Sequence, residues 1–308
     1  MKILRIGTRK SLLAQAQTRI VAEKIRKKMP ELEIEIVPMA TEGDKQLDKN
    51  LSSFGGKGVF TKELEMALLD GRIHMAVHSA KDMPVDFPKG LVLGAVVERA
   101  EYEDMVVTRD NMPIVCMKPG SIIGTGSLRR KLQLQMLNPQ IETKEIRGNV
   151  QTRLKKLDEG QYDAIVLARA GLERLRRDSA DEYKDFYNKF YYEVLDSEEY
   201  LPAAGQAILA VEVAEELLKV PEFRSVCQTI NEEKAAYMLQ AERNFLKYIG
   251  GGCNAPAGAC SWIDGERLRI KGGFAQDGKT MLYTEVTGGI SEAGELGQKL
   301  AEKLLNKG

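Results

Sequence analysis

The sequence has little of what a metalloenzyme or a disulfide-built secreted domain needs. Its 308 residues include four cysteines, Cys116, Cys227, Cys253 and Cys260, with no CxxC or zinc-type spacing, and two histidines, His74 and His78. A metal site has few ligands to draw on, and free thiols are expected. An excess of one charge is also missing, since 45 Lys+Arg balance 45 Asp+Glu. A nucleic-acid binder normally shows a basic surplus. Here there is neither a basic tail nor a set of aromatics interleaved with cations, which favours a small anionic molecule over a polyanion. No apolar run has the length of a membrane span, and Met1-Lys2-Ile3-Leu4-Arg5 reads as the start of a strand rather than a secretory leader, so the cytoplasm is the expected compartment. Repeats and low-complexity tracts are lacking, which excludes solenoids. With 43% hydrophobic residues, the chain is long enough for two or three domains.

What is present is an alternation of short apolar runs and amphipathic stretches. Residues 3–6, 33–39 and 75–77 read as strands and 11–28 and 61–69 as helices, with Leu12, Ala16, Ile20 and Ile25 expected to face a core. A second series starts near Asp104, with strands expected at 105–107, 122–123, 143–146 and 164–167 and a turn at Gly171. Both series fit parallel βαβ units. The charged, Tyr-rich stretch 176–199 reads as an exposed insertion. After Leu201-Pro202-Ala203-Ala204-Gly205-Gln206 come an apolar strand (207–213), a helix (232–249), a Gly-Gly-Gly-Cys turn, short strands at 268–274 and 280–286, and a C-terminal helix. This last part reads as a small α+β domain.

Open α/β sheets bind ligands beyond the carboxyl ends of their strands, and the loops expected there are cationic. In GTGSLRR (124–130), Leu128, Leu132 and Met136 recur at helical spacing, which puts Arg129 and Arg130 in the first turn of a helix. That end of a helix carries roughly +0.5 charge, so two guanidiniums are unfavourable there unless an anion joins them. IRGNVQTRL (146–154) repeats the arrangement, with Arg147 at a strand end and Arg153 on the next helix, and IGTRKS (6–11) adds Arg9 and Ser11. Guanidinium binds carboxylate or phosphate bidentately, and Ser/Thr hydroxyls and turn amides complete an oxygen shell. An acidic ligand is implied. Nucleotide motifs do not account for these loops: Gly7-Thr8-Arg9 lacks the dinucleotide glycine spacing, and Gly55-Gly56-Lys57-Gly58 lacks the Walker Ser/Thr and an earlier glycine.

VHSAKDMP (77–84) supplies a carboxylate. Pro84 disfavours helix for Met83 and holds the loop extended, leaving Asp82 among cations, where it suits stabilising a developing positive charge. The alternative is a turn-capping Asp paired with Lys81. His78 reads as a core histidine. GGGCNAP (250–256) presents Cys253 on a tight turn. The residues alone leave it open between a nucleophile or covalent anchor and a buried small hydrophobe, and no histidine stands near it in sequence.

Taken in order, IGTRKSLLA, GGKGVFTKELE, AVHSAKDMP, IGTGSLRR, IRGNVQTRL, YDAIVLARAGL, LPAAGQA and GGCNAP closely resemble the porphobilinogen deaminase (hydroxymethylbilane synthase) family over nearly the whole chain. The resemblance implies an α/β fold: two domains of the type II periplasmic-binding-protein kind with mainly parallel sheets (1–98 with 201–225, and 99–200) and a small α+β domain (226–308) carrying the cysteine loop. It implies a dipyrromethane cofactor attached through a thioether to Cys253, and a reaction that joins four porphobilinogen molecules head to tail with loss of ammonia, then releases a linear tetrapyrrole by hydrolysis. Asp82 matches the family's catalytic aspartate. Arg9, Ser11, Lys81, Arg129, Arg130, Arg147 and Arg153 match residues holding acetate and propionate groups of cofactor and growing chain. Thr125, Ser127 and Ser79 lie beside them, and Gln206 matches a residue of the inter-domain hinge region. A monomer is implied.

The chain departs from the family pattern at Ser53, Gly126, Ala207, Gly250 and Asn254, and at Arg169, which is read as a source of replacement charge. Two further classes are weighed: a binding protein of the same architecture that captures a small anion without turnover, and an acyl- or phosphoryl-transfer enzyme using Cys253. The first has no need of a thiol on a Gly-rich loop, and the second lacks an evident general base.

Overall fold

The computed structural model describes residues 2–41, 61–178, 181–251 and 255–306. Ser53, the loop 52–60, Cys253 and Asn254 lie outside the described residues. The chain divides into two compact units, one formed by Met1–Ala100 with Ile208–Ala236 and the other by Glu101–Ala207 with Tyr237–Gly308.

In the first unit, β1 (Ile3–Arg9), α1 (Leu12–Lys28), β2 (Glu33–Met39), α2 (Lys62–Leu69), β3 (Met75–Ser79), β4 (Leu91–Arg99), β10 (Ile208–Ala214) and α7 (Pro221–Ile230) build a five-stranded sheet of order β2-β1-β3-β10-β4 flanked by helices. Strand β1 is parallel to β2 and β3, while β10 runs antiparallel to β3 and β4, so four of the five strands point one way. One face buries Leu4, Ile6, Val77, Val97 and Val211 against Val21 and Ile25 of α1 and Phe223 of α7. The other packs Ala76 against Leu64, Ala67 and Leu68 of α2. Gly7 packs tightly beneath α2: a Cβ there would lie 2.3 Å from Ile73 Cδ1 and 3.0 Å from Leu64 Cδ2, so these side chains would have to shift.

The second unit repeats the order. Here β5 (Asp104–Thr108), β6 (Ile122–Gly124), α3 (Leu128–Leu137), β7 (Glu142–Lys144), α4 (Val150–Asp158), β8 (Ala164–Ala168), α5 (Arg169–Asp178), α6 (Asp181–Asn188) and β9 (Tyr191–Val194) give a sheet β7-β6-β8-β5-β9. Parallel pairs join β6 to β7 and β8, and β5 is the antiparallel strand. The same unit holds an antiparallel meander, β11 (Ala257–Asp264), β12 (Arg267–Phe274) and β13 (Leu282–Gly289). Ala241 and Phe245 of α8 (Glu233–Tyr248) and Leu296 and Leu300 of α9 (Ala293–Leu305) share a core with Leu268 and Ile270 of the meander. The α/β class with mainly parallel sheets and a small α+β portion is borne out.

Several expectations from the sequence are corrected. The stretch 176–199 is not an exposed insertion: it completes α5, forms α6 and ends in β9, which pairs with β5, and Tyr187 and Phe190 are buried. Its charges mask this because they lie on the outer side of short elements. The helix α5 begins directly after β8, so Gly171 lies within it and makes no turn. Leu12 is exposed, with Ala14, Thr18, Val21 and Ala22 on the buried stripe instead. Strands β4 and β11 are additional to those read from the sequence.

Ala207 has φ 68°, in the left-handed region, and its carbonyl accepts a hydrogen bond from buried Arg174 at 2.7 Å. A non-glycine residue in that region is strained by about 1–2 kcal/mol, a penalty that glycine avoids. Ala207→Gly is therefore expected to raise unfolding stability by about 0.5–1 kcal/mol after the larger chain entropy of glycine is deducted, as read by urea denaturation. A destabilised variant would contradict the strain.

Candidate active site

Each unit gathers its sequence-predicted residues at the carboxyl ends of its parallel strands. In the first unit Arg9 ends β1 and Ser11 caps α1, its Oγ accepting the Ala14 N–H at 3.3 Å. The neighbouring strand β3 ends at Ser79 and runs into a 3-10 turn, Ala80–Asp82. Ala80 and Met83 are buried and anchor the turn, while Asp82 is exposed. Met83 before Pro84 is extended (φ −79°, ψ 146°), as the proline dictates. Buried Gln17 on α1 donates to Ser79 Oγ at 2.8 Å and fixes that hydroxyl. Arg9, Ser11, Ser79, Lys81 and Asp82 thus come together at one sheet end.

In the second unit the loops after β6 and β7 carry Thr125, Ser127, Arg129, Arg130, Arg147 and Arg153. Ser127 caps α3, accepting the Arg130 N–H at 3.4 Å, and Thr125 Oγ1 accepts the Ser127 N–H at 3.2 Å. Asn149 caps α4 through the Thr152 N–H at 2.9 Å. Gly148, at φ 111°, makes the turn between them, and a Cβ there would sit 2.6 Å from Thr152 Cγ2. Arg153 donates to the Gly148 carbonyl at 2.8 Å, and Arg147 pairs with Glu145.

Arg129 and Arg130 are only 3% and 7% exposed, and the structure supplies an anion between them. Asp104, at the start of β5 and fully buried, receives Arg129 at 2.9 Å and Arg130 bidentately at 2.6 and 3.1 Å. Arg130 also donates to the Val166 carbonyl at 2.9 Å, and Arg129 to that of Leu201. Gln206 completes the group, donating from Nε2 to Asp104 Oδ1 at 2.9 Å and to the Tyr102 carbonyl at 2.8 Å. These arginines turn inward while Leu128 and Met136 face solvent, and Leu132 alone of that triplet is buried. Burial and repulsion from Asp104 raise the pKa of the Tyr200 hydroxyl, with Arg129 and Arg130 opposing. Arg169 does not provide spare charge. Glu173 binds its Nε at 2.7 Å, and Glu101 and Glu103 lie at 3.3 and 3.5 Å.

Strand β11, which follows the cysteine loop in sequence, packs against this group. A Cβ on Gly258 would lie 3.0 Å from Arg129 Cδ and 2.8 Å from the Pro202 carbonyl, so the strand closes onto the arginine side chain only as glycine. Cys116, Cys227 and Cys260 are free thiols, and burial pushes that of Cys227 up to about 11. Sequence reading missed Gln17, Asp104 and the Gln133–Leu201 hydrogen bonds (2.8 and 3.0 Å).

Fold and loops together define an α/β protein with cations and hydroxyls at the strand ends of two sheets of the same order. The family model for the porphobilinogen deaminase dipyromethane cofactor binding domain matches residues 4–222, and that for the porphobilinogen deaminase C-terminal domain matches residues 236–306. The porphobilinogen deaminase of Prochlorococcus marinus subsp. pastoris is 41% identical over 99% of this chain and 94% of its own length. That of Methylobacillus flagellatus is 41% identical over 100% and 95%. The periplasmic VFT2 domain of Bordetella pertussis BvgS is a distant structural neighbour, 16% identical with a TM-score of 0.45 over 77% of this chain and 92% of that one. The chain belongs to the porphobilinogen deaminase family. It is a transferase of tetrapyrrole biosynthesis that uses a dipyrromethane cofactor.

Asp104→Asn is expected to lower unfolding stability by about 3–5 kcal/mol, because two buried guanidiniums lose their counter-charge. Urea unfolding followed by circular dichroism reads this, and a loss below about 1 kcal/mol would contradict the role given to Asp104.

Proposed function

We propose that the chain works as a cytoplasmic monomer in which Asp82 is the catalytic carboxylate, Cys253 carries the cofactor, and the arginine loops of each unit hold the carboxylates of substrate and growing chain. The three-part division of the sequence reading, 1–98 with 201–225, 99–200, and 226–308, is kept with its inner boundaries moved to those of the compact units, 208–236 going to the first part and 201–207 to the second. The charge balance of 45 Lys+Arg against 45 Asp+Glu supports a small-molecule substrate rather than nucleic acid.

The observation that carries the proposal is the composition of the strand ends. Cations and hydroxyls from separate loops sit on helix caps and turns, where their geometry is fixed before a ligand arrives. Acetate and propionate groups match that donor set in charge and in bidentate geometry. The packing of Gly258 on Arg129 supports an attachment point at Cys253, five residues earlier in the sequence. When bound, dipyrromethane supplies a nucleophilic pyrrole α-carbon from which the chain is extended.

Porphobilinogen loses its aminomethyl nitrogen as ammonia, and the positive charge that develops spreads over the pyrrole ring. Asp82 accepts the pyrrole N–H and stabilises that charge electrostatically. Arg9, Ser11, Arg153 and Gln206 belong to substrate recognition in this reading, with Gln206 acting through its hold on Asp104. Lys81, Ser79, Thr125, Ser127, Arg129, Arg130 and Arg147 belong to cofactor recognition. The proton released when each new carbon–carbon bond forms leaves on ammonia as ammonium, and water completes the last step. Each charge-assisted contact is worth about 1.5–3 kcal/mol, so loss of one arginine weakens binding roughly ten-fold or more.

Asp82→Asn is expected to keep its cofactor and its affinity for porphobilinogen while losing about two to three orders of magnitude in turnover, as for removal of one preorganised stabilising group. Ammonia release under saturating substrate measures it. Turnover equal to that of the unaltered protein would refute the role of Asp82.

A further inference from the structure

The α2-facing side of the first sheet carries charge where an apolar core is the default. His78 is 6% and Glu212 1% exposed. They stand on the antiparallel neighbours β3 and β10, where Ala210 pairs with His78 and Glu212 with Ala76. Ala76 packs against α2, so His78, two residues on, leaves β3 on the same face. Its Nε2 lies 3.0 Å from Glu212 Oε2, without an aligned hydrogen bond. The other oxygen, Oε1, has no hydrogen-bond partner among the described residues.

The surrounding groups are charged too. From α2 come Glu65 and Glu63: burial holds the Glu65 carboxyl above its ordinary range, the Thr61 hydroxyl opposes this, Glu212 adds to it, His78 opposes it and Glu63 adds again. On β1, Gly7 pairs with Ala76, so Arg9, two residues further, belongs to the same face of the sheet. An apolar pair would fill the His78 and Glu212 positions without these desolvation penalties. Native proteins keep buried polar groups without aligned partners where a site uses them.

We propose that the His78–Glu212 couple is a positioning device for the deamination. It ties the end of β3 to β10 and so holds the turn that bears Ser79, Lys81 and Asp82. This rests on the reading of Asp82 as the catalytic carboxylate. The hold across β3 and β10 is the 3.0 Å approach of His78 Nε2 to Glu212 Oε2 inside the packed face of the sheet.

Two measurements on the cofactor-loaded protein test the proposal. In Glu212→Gln, kcat falls about ten-fold at neutral pH with KM within about two-fold, as small displacements of a reacting group do. The chain has two histidines, so imidazole nitrogen NMR resolves His78 directly, with His74 assigned through His74→Gln. The His78 ring nitrogen signals move in Glu212→Gln and those of His74 do not. Unchanged kcat and unchanged His78 signals in the folded variant would overturn the proposal. Should Glu212→Gln not fold, His78→Gln is measured in the same way, and a kcat equal to that of the unaltered protein overturns the couple. Full turnover in Asp82→Asn would remove the premise, whereas the His78 spectrum reports on the couple independently.

Discussion

The buried carboxylate of Asp104 is the interaction on which the second unit depends. Two guanidiniums at a helix N-terminus repel each other and the helix dipole, and neither stays buried without a counter-charge. Asp104 removes both objections from one strand position, and with Gln206 it connects β5, α3 and the segment 201–207. Asp104 and the Val166 and Leu201 carbonyls hold both guanidiniums in fixed orientation.

The two units reach the same kind of strand end by the same strand order. Parallel βαβ crossovers put every strand-to-helix turn on one edge of a sheet, and caps such as Ser11, Ser127 and Asn149 start the helices there. A polyacidic ligand calls for many cations at defined spacing. Loops after several parallel strands deliver them without burying any one unpaired. The C-terminal meander adds a strand that follows the cysteine loop and that only glycine at position 258 lets close on Arg129.

Much of this was legible in the sequence because loop chemistry is local. Ser11, Ser127 and Gly148 announce caps and turns by residue type, and Pro84 fixes Met83 wherever the chain goes. Strands such as 33–39 were recovered from apolar patterning. What escaped depends on tertiary partners. Leu128, Leu132 and Met136 recur at helical spacing, but which of them is buried depends on Asp104, distant in sequence, which draws Arg129 and Arg130 inward. The stretch 176–199 looks like an insertion because the apolar residues it buries, Tyr187 and Phe190, are aromatic and sparse among charges. His78 and Glu212 meet only through the β3–β10 register, which no sequence pattern encodes.

The central claim is that a thiol-bound oligopyrrole primer is held by fixed cations and extended beside a carboxylate. Intact-protein mass spectrometry of the unaltered chain and of Cys253→Ser tests it most directly. The account predicts an excess mass of two pyrrole units in the former and none in the latter. An active protein of unmodified mass, or an excess that persists in Cys253→Ser, would contradict it.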